Sequence, residues 1–349
     1  MKARPRRLNY LIDWDTQIDF QRSTAATLFD DGVLTRWAID EPRVTSDGSL
    51  FVEGSRINAA KWSTPQTNLD RWTQVGAGPD QVGPSGASNE ASRIAVSSLE
   101  GQTMTGVPYN TVSLLVKGVG GVPIVICKNQ VSGASIIFPK TLVPPGSASA
   151  WTKQSATGLG SPAGPNIAWR YRNMSADPVD IFGLQLNNKT WHGELIETVG
   201  TAVTGSADQA KVLSANVNST LKSGVFSTTI VPTRASNQVQ DGAMETLFSF
   251  GTGLNNRIVI LPDNRVQVYV GAAGKVLTTA LTWSRKQPIK LYFNSVSGKI
   301  KVEGATTGNG TYTGTSWTMP SGDLYLGNES SYATPYFGSI SKPLQEYSF

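Results

Sequence analysis

The chain carries one histidine, His192, and one cysteine, Cys127, in 349 residues. A Ser-His-Asp relay would have to use His192, and no Gly-x-Ser-x-Gly elbow accompanies it. His192 follows Trp191 at an expected domain junction and reads as a hydrogen-bonded linker residue. Zinc sites use several imidazoles or thiolates, so no metal is expected. Cys127 follows Ile124, Val125 and Ile126 and reads as an inert thiol in a core strand; no internal disulfide can form. Glycan hydrolysis needs only two carboxylates at a defined separation. The candidates are Asp13, Asp15 and Asp19, Asp30 with Asp31, Asp40 with Glu41, and Glu194 with Glu197. None lies in a cleft pattern, Asp30-Asp31 reads as turn chemistry, and no long repeat period of the β-helix kind appears. The glycine pairs Gly158-x-Gly160 and Gly308-x-Gly310 lack the third glycine of a dinucleotide fingerprint. The expectation is a protein that is not an enzyme and uses no cofactor.

Sugar binding needs less. A sugar has an apolar face that stacks on an exposed aromatic ring and a polar rim that hydrogen-bonds. The candidate glycan contacts are Trp62 with Trp72, Tyr312 with Trp317, and Tyr332 with Tyr336, each in a polar or loop-rich setting. The competing expectation for such rings is packing in a core or a subunit contact.

The elements that would position these residues follow from composition. Charged residues make up 16% of the chain, below the usual quarter or so, and Gly, Ser, Thr, Asn and Pro take their place. These build turns, and many turns imply many short strands. Period-two alternation recurs. Ile258–Leu261, a turn at Pro262-Asp263-Asn264 and Arg265–Val270 read as a hairpin. Ile289–Phe293 and Ile300–Val302 read as another, joined by a tight two-residue Ser297-Gly298 turn. Strands are also expected around 112–116, 168–172 and 181–186, the last closing a domain, and at 324–326. Asp30-Asp31-Gly32 marks a small hairpin over 28–34. No window shows a sustained helical stripe. The five Asn-x-Ser/Thr triplets, such as Asn188-Lys189-Thr190 and Asn218-Ser219-Thr220, are chance occurrences in so polar a chain. The predicted fold is all-β, with an extended N-terminal arm over 1–58, a first β-sandwich over 59–195 and a second, jelly-roll sandwich over 196–349.

The net charge is +5, and four of the positive charges, Lys2, Arg4, Arg6 and Arg7, fall within the first seven residues. The remainder is nearly neutral, so no nucleic-acid footprint is expected. The basic cluster is a candidate attachment arm for an acidic surface. No apolar h-region follows it, and the stretch 112–126 is interrupted by Lys, Gly and Pro, so neither secretion nor membrane insertion is expected and synthesis in a cytoplasm is.

Two segments carry a resemblance. Phe20-Gln21-Arg22-Ser23-Thr24-Ala25-Ala26-Thr27, then Asp30-Asp31-Gly32-Val33-Leu34, Pro42-Arg43 and Leu50-Phe51-Val52-Glu53-Gly54-Ser55-Arg56-Ile57-Asn58 resemble the opening module of many tailed-phage virion proteins. Trp151-Thr152, Phe182–Leu186 and Thr198–Thr204 resemble the carbohydrate-binding-like sandwich that follows it. Leu324-Tyr325-Leu326-Gly327-Asn328 and Phe337-Gly338-Ser339-Ile340 are similar to the ending of concanavalin- or laminin-G-like jelly rolls. The resemblance implies a tail-fibre, spike, head-fibre or capsid-decoration protein located in the virion. Its partners would be other virion proteins, and it would form a homo-oligomer, a trimer first. A receptor-binding lectin for host glycan is the first alternative and a glycan hydrolase the second.

Overall fold

The computed structural model describes residues 12, 17–60, 63, 81–94, 99–105, 111–118, 124–129, 140–141, 147, 149–157, 166–172, 177–187, 193–234, 244–251, 256–262, 265–269, 279–280, 288–304, 309–314, 321–328, 336 and 338–346. The fold is all-β and its sheets are antiparallel. One short helix, Ser219–Ser223, is present among the described residues. Its Asn218 side chain accepts the Thr220 N–H at 2.8 Å, and Gly224 closes it in the left-handed conformation. The Asn218-Ser219-Thr220 triplet is therefore a helix cap.

The chain divides into two compact units. The first comprises residues 1–23, 40–54 and 207–349, the second 24–39 and 55–206. This replaces the division into 1–58, 59–195 and 196–349. The segment read as an extended arm is shared out, because its short apolar pieces alternate with the right period to add strands to sheets formed by later sequence.

In the first unit a seven-stranded sheet runs in the order Ile18–Gln21, Gln209–Val212, Leu324–Leu326, Glu245–Phe250, Arg257–Ile260, Arg265–Tyr269, Thr279–Ala280. Its register lines up Phe20, Ala210, Leu326, Phe248, Ile258 and Val268 across six strands, all buried. The residues one step along, Asp19, Lys211, Tyr325, Ser249, Arg257 and Tyr269, form a polar and aromatic row on the other face. A five-stranded sheet, Asn309–Thr313, Lys299–Gly304, Ile289–Asn294, Val225–Ile230, Leu344–Glu346, contributes Leu291, Phe293, Ile300 and Val302 to the same core. The rings of Phe226 and Phe293 stack there with centroids 4.8 Å apart. Two sheets sharing one core make a β-sandwich. A third sheet, Pro232–Arg234, Gly338–Ile340, Leu50–Val52, Arg43–Val44, brings the early sequence beside the late. The Ser297-Gly298 turn corrects to a four-residue loop, 295–298, since Asn294 pairs with Lys299. There Asn294 accepts the Ser297 N–H at 2.9 Å and Gly298 supplies a φ of 67°.

In the second unit one four-stranded sheet is Lys140–Thr141, Ile124–Asn129, Asn166–Arg172, Leu99–Thr105. The other is Thr152–Thr157, Thr111–Lys117, Val179–Asn187, Ser92–Ile94. Val179–Asn187 is buried along its whole length. It is thus an inner strand rather than the end of a domain, and the unit continues to Ser206. One face of that sheet packs Leu115 and Phe182 against Leu34, Ala91 and Leu195. Leu34 belongs to the hairpin Ala26–Asp30/Val33–Trp37, whose turn residues Asp31 and Gly32 both have positive φ, as a primed two-residue turn requires. A further pair joins Arg56–Asn58 to Val203–Gly205.

Candidate functional site

The module residues singled out in the sequence converge on buried polar joints. In the first unit Arg22 follows an edge strand, Arg43 opens Arg43–Val44, Glu53 ends Leu50–Val52, and Asp208 precedes Gln209–Val212. Their side chains are between 0% and 4% exposed. Arg43 donates to Glu53 Oε2 at 2.9 Å and to Asp208 Oδ2, and Arg22 Nη1 lies 3.4 Å from Asp208 Oδ1. Glu53 and Asp208 also exchange backbone bonds. The Glu53 N–H donates to Asp208 Oδ2 at 2.8 Å, and the Asp208 N–H donates to the Glu53 carbonyl at 2.8 Å. Asp40 accepts the Arg22 N–H at 2.8 Å, and Arg43 stacks 4.7 Å over the Phe51 ring.

Two cations and two anions cancel here, which is what makes burial tolerable. Burial alone would lower the Arg43 pKa, but the charges and hydrogen bonds of Asp208 and Glu53 outweigh it and hold the guanidinium above its ordinary value. Burial lowers Arg22, with Asp208 opposing, and pushes the Asp208 carboxyl upward, with Arg43 opposing. Side chains this enclosed cannot touch a substrate. The arrangement fastens four chain segments together.

The second unit has a comparable joint at Arg56-Ile57-Asn58. The buried Asn58 amide donates to the carbonyls of Leu184 (3.1 Å) and Ile196 (2.7 Å). Its oxygen accepts from Leu186 N (3.0 Å) and Ala60 N (3.1 Å), so all four bonds available to an amide are made. Gln185 accepts from Arg56 (3.2 Å) and Ile196 N (2.8 Å).

The described candidate carboxylates are likewise engaged. Glu194 accepts from Phe29 N and Lys153, each at 2.8 Å. Glu197 and Glu90 both bind Arg36 at 2.6 Å, Asp19 lies 3.5 Å from Lys211, and Asp30-Asp31 sit at the hairpin turn. No two of these form an open acid–base pair among the described residues, and no group of three or more His, Cys, Asp or Glu side chains there could hold a metal ion. Asp13, Asp15 and His192 lie outside the described residues, as do Lys2, Arg4, Arg6, Arg7, Trp62, Trp72, Trp317 and Tyr332. Cys127 falls on Ile124–Asn129, and Tyr312 on Asn309–Thr313 opposite Ile300; their side chains are outside the described set. Tyr336 is a correction. It is 0% exposed, packed within the apolar core of the first unit, and its N–H donates to the Gly327 carbonyl at 2.7 Å. A ring so enclosed has no face to offer a sugar.

Sequence reasoning missed a cleft of about 430 Å³ in the first unit. Val217, Leu221, Phe250 and Leu324 line it together with Ser214, Lys222 and Ser321. The signal was weak, since these residues come from three distant parts of the chain.

No protein-family model matches the chain, and no curated protein matches it. Among solved structures the chain is similar to the full extracellular region of zebrafish Gpr126/Adgrg6, at 11% identity and a TM-score of 0.26. The match covers 74% of this chain and 36% of that one. A likeness at that level carries no argument about fold or function.

Proposed function

We propose that this chain is a structural component of a tailed-phage virion, a fibre, spike or head-decoration protein acting without catalysis. One observation carries the reading. The residues that give the opening segment its resemblance to phage virion modules, Arg22, Arg43, Glu53, Arg56 and Asn58, are the residues buried in the polar joints of the two units. A motif built from arginines and carboxylates usually signals a binding surface. Buried and mutually paired, it signals a fastening that keeps short sheets in register. All-β sandwiches in which apolar rows alternate with polar ones suit a particle component whose work is mechanical. The jelly-roll connectivity of the C-terminal sandwich, the trimeric state and attachment through Lys2, Arg4, Arg6 and Arg7 belong to the same reading.

The test is the composition of purified particles. Washed, density-banded virions from cells expressing the phage genes are expected to contain the chain at a fixed copy number. Its presence in the lysate together with its absence from banded particles would overturn the reading.

A further inference from the structure

We propose that the cleft in the first unit is a binding site for an acidic saccharide, a sugar ring bearing a carboxylate. The space, about 430 Å³, lies within the range typical of small-ligand sites. Its apolar lining combines Phe250 with Val217, Leu221 and Leu324, side chains that suit the apolar face of a pyranose. Ser214 and Ser321 border it with hydroxyls that can meet the ring substituents.

Charge selects among sugars. Lys222, exposed in the last turn of the helix Ser219–Ser223, is the one charged residue among the described residues lining the cleft. Asp323, between the lining residues Gly322 and Leu324, is engaged at the border of the cleft. Its Oδ1 accepts the Ser214 N–H at 2.8 Å and its Oδ2 lies 3.8 Å from Lys211. A carboxylate entering the cleft therefore meets a cation, while the Asp323 carboxylate is held by the Ser214 N–H and Lys211. The wall is also prearranged. A Cβ on Gly322 would lie 2.7 Å from the Gly251 Cα, and the Gly251 N–H donates to the Asp323 carbonyl at 2.8 Å, so two backbone segments are clamped together beside the opening. Little ordering remains to be done when a ligand arrives. A fatty acid shares the carboxylate but would leave the serine hydroxyls without partners, and a neutral sugar would leave Lys222 without one. The choice of a saccharide rests on the virion reading, since a particle component meets cell-surface glycan; the binding measurement does not depend on it.

The experiment is titration of the full-length protein with methyl glucuronide, methyl glucoside and hexanoate, followed by saturation-transfer NMR and calorimetry. Saturable binding of the glucuronide is expected, about threefold tighter than the glucoside, the factor that one solvent-exposed ion pair supplies, and tighter than hexanoate, which offers the serine hydroxyls no partner. Lys222→Met should remove the preference over the glucoside. Ala215→Trp, on the exposed border of the cleft, should abolish binding by filling it, and neither variant should shift the unfolding midpoint. Absence of saturable glucuronide binding, binding indifferent to both variants, or hexanoate binding as tightly as the uronide would each overturn the proposal. Particle composition is measured separately, so failure here is distinguishable from failure of the virion reading.

Discussion

Arg43 shows how a buried ion network constrains a sequence. Its guanidinium serves Glu53 and Asp208 at once, and neither carboxylate has water to fall back on. Removing one partner of such a set strands the others, whereas replacing the whole set by apolar groups is often tolerated. Arg43→Met should therefore cost about 3–5 kcal/mol, read as a fall in the urea midpoint at constant m-value. Adding Glu53→Leu should cost less than a second loss of that size, because one stranded charge has gone; additive losses would show that the two residues are not coupled. Asn58 makes the parallel case without charge. Asn58→Ala removes four hydrogen bonds and leaves buried carbonyls and N–H groups behind, for an expected loss of roughly 3 kcal/mol by chemical denaturation. Sequence reading found both residues through the resemblance but could not say what they do. A charged side chain looks the same on paper whether it meets solvent or a partner 165 positions away, as Arg43 and Asp208 are.

At the scale of elements, close backbone approaches decide which strands can neighbour one another. Gly327 ends Leu324–Leu326 with a φ of 65°, and a Cβ there would come within 2.2 Å of Val52 Cγ2. Gly327→Ala should destabilise the first unit by about 2–4 kcal/mol through strain and overpacking, and Val52→Ala should restore part of that loss in the double variant. Thermal melts of the four species would measure the coupling; two independent penalties would place the glycine's role in φ alone. Hairpins were the most legible elements, because their turn chemistry and alternation are local. Asp30-Asp31-Gly32 turns where the residue types put it, and Arg257–Ile260 pairs with Arg265–Tyr269 across Pro262. Val179–Asn187 was harder. Buried on both faces, it does not alternate, and its register shift between Phe182 and Gln185 at Gly183 further blurs the period. The cleft was invisible for a related reason, since 214–222, 250 and 321–324 meet only through long-range pairing.

For the whole molecule, each unit is assembled from non-contiguous sequence, and the first needs strands from residues 18–21 and 43–52 to complete two of its sheets. A fragment spanning 207–349 lacks Phe20, Leu50 and Val52 from its core and leaves Asp208 without either arginine. It should show no cooperative unfolding transition and should bind a hydrophobic dye, while the full chain melts cooperatively; a fragment that folds to a sharp transition would show that the early strands are ornamental. The role proposed above is that of a virion component. The most direct measurement of that role is a cryo-electron reconstruction of the phage particle. We expect resolved density for paired β-sandwiches at a symmetric position on the head or tail into which this chain fits. A complete particle in which every density is accounted for by other chains would contradict it.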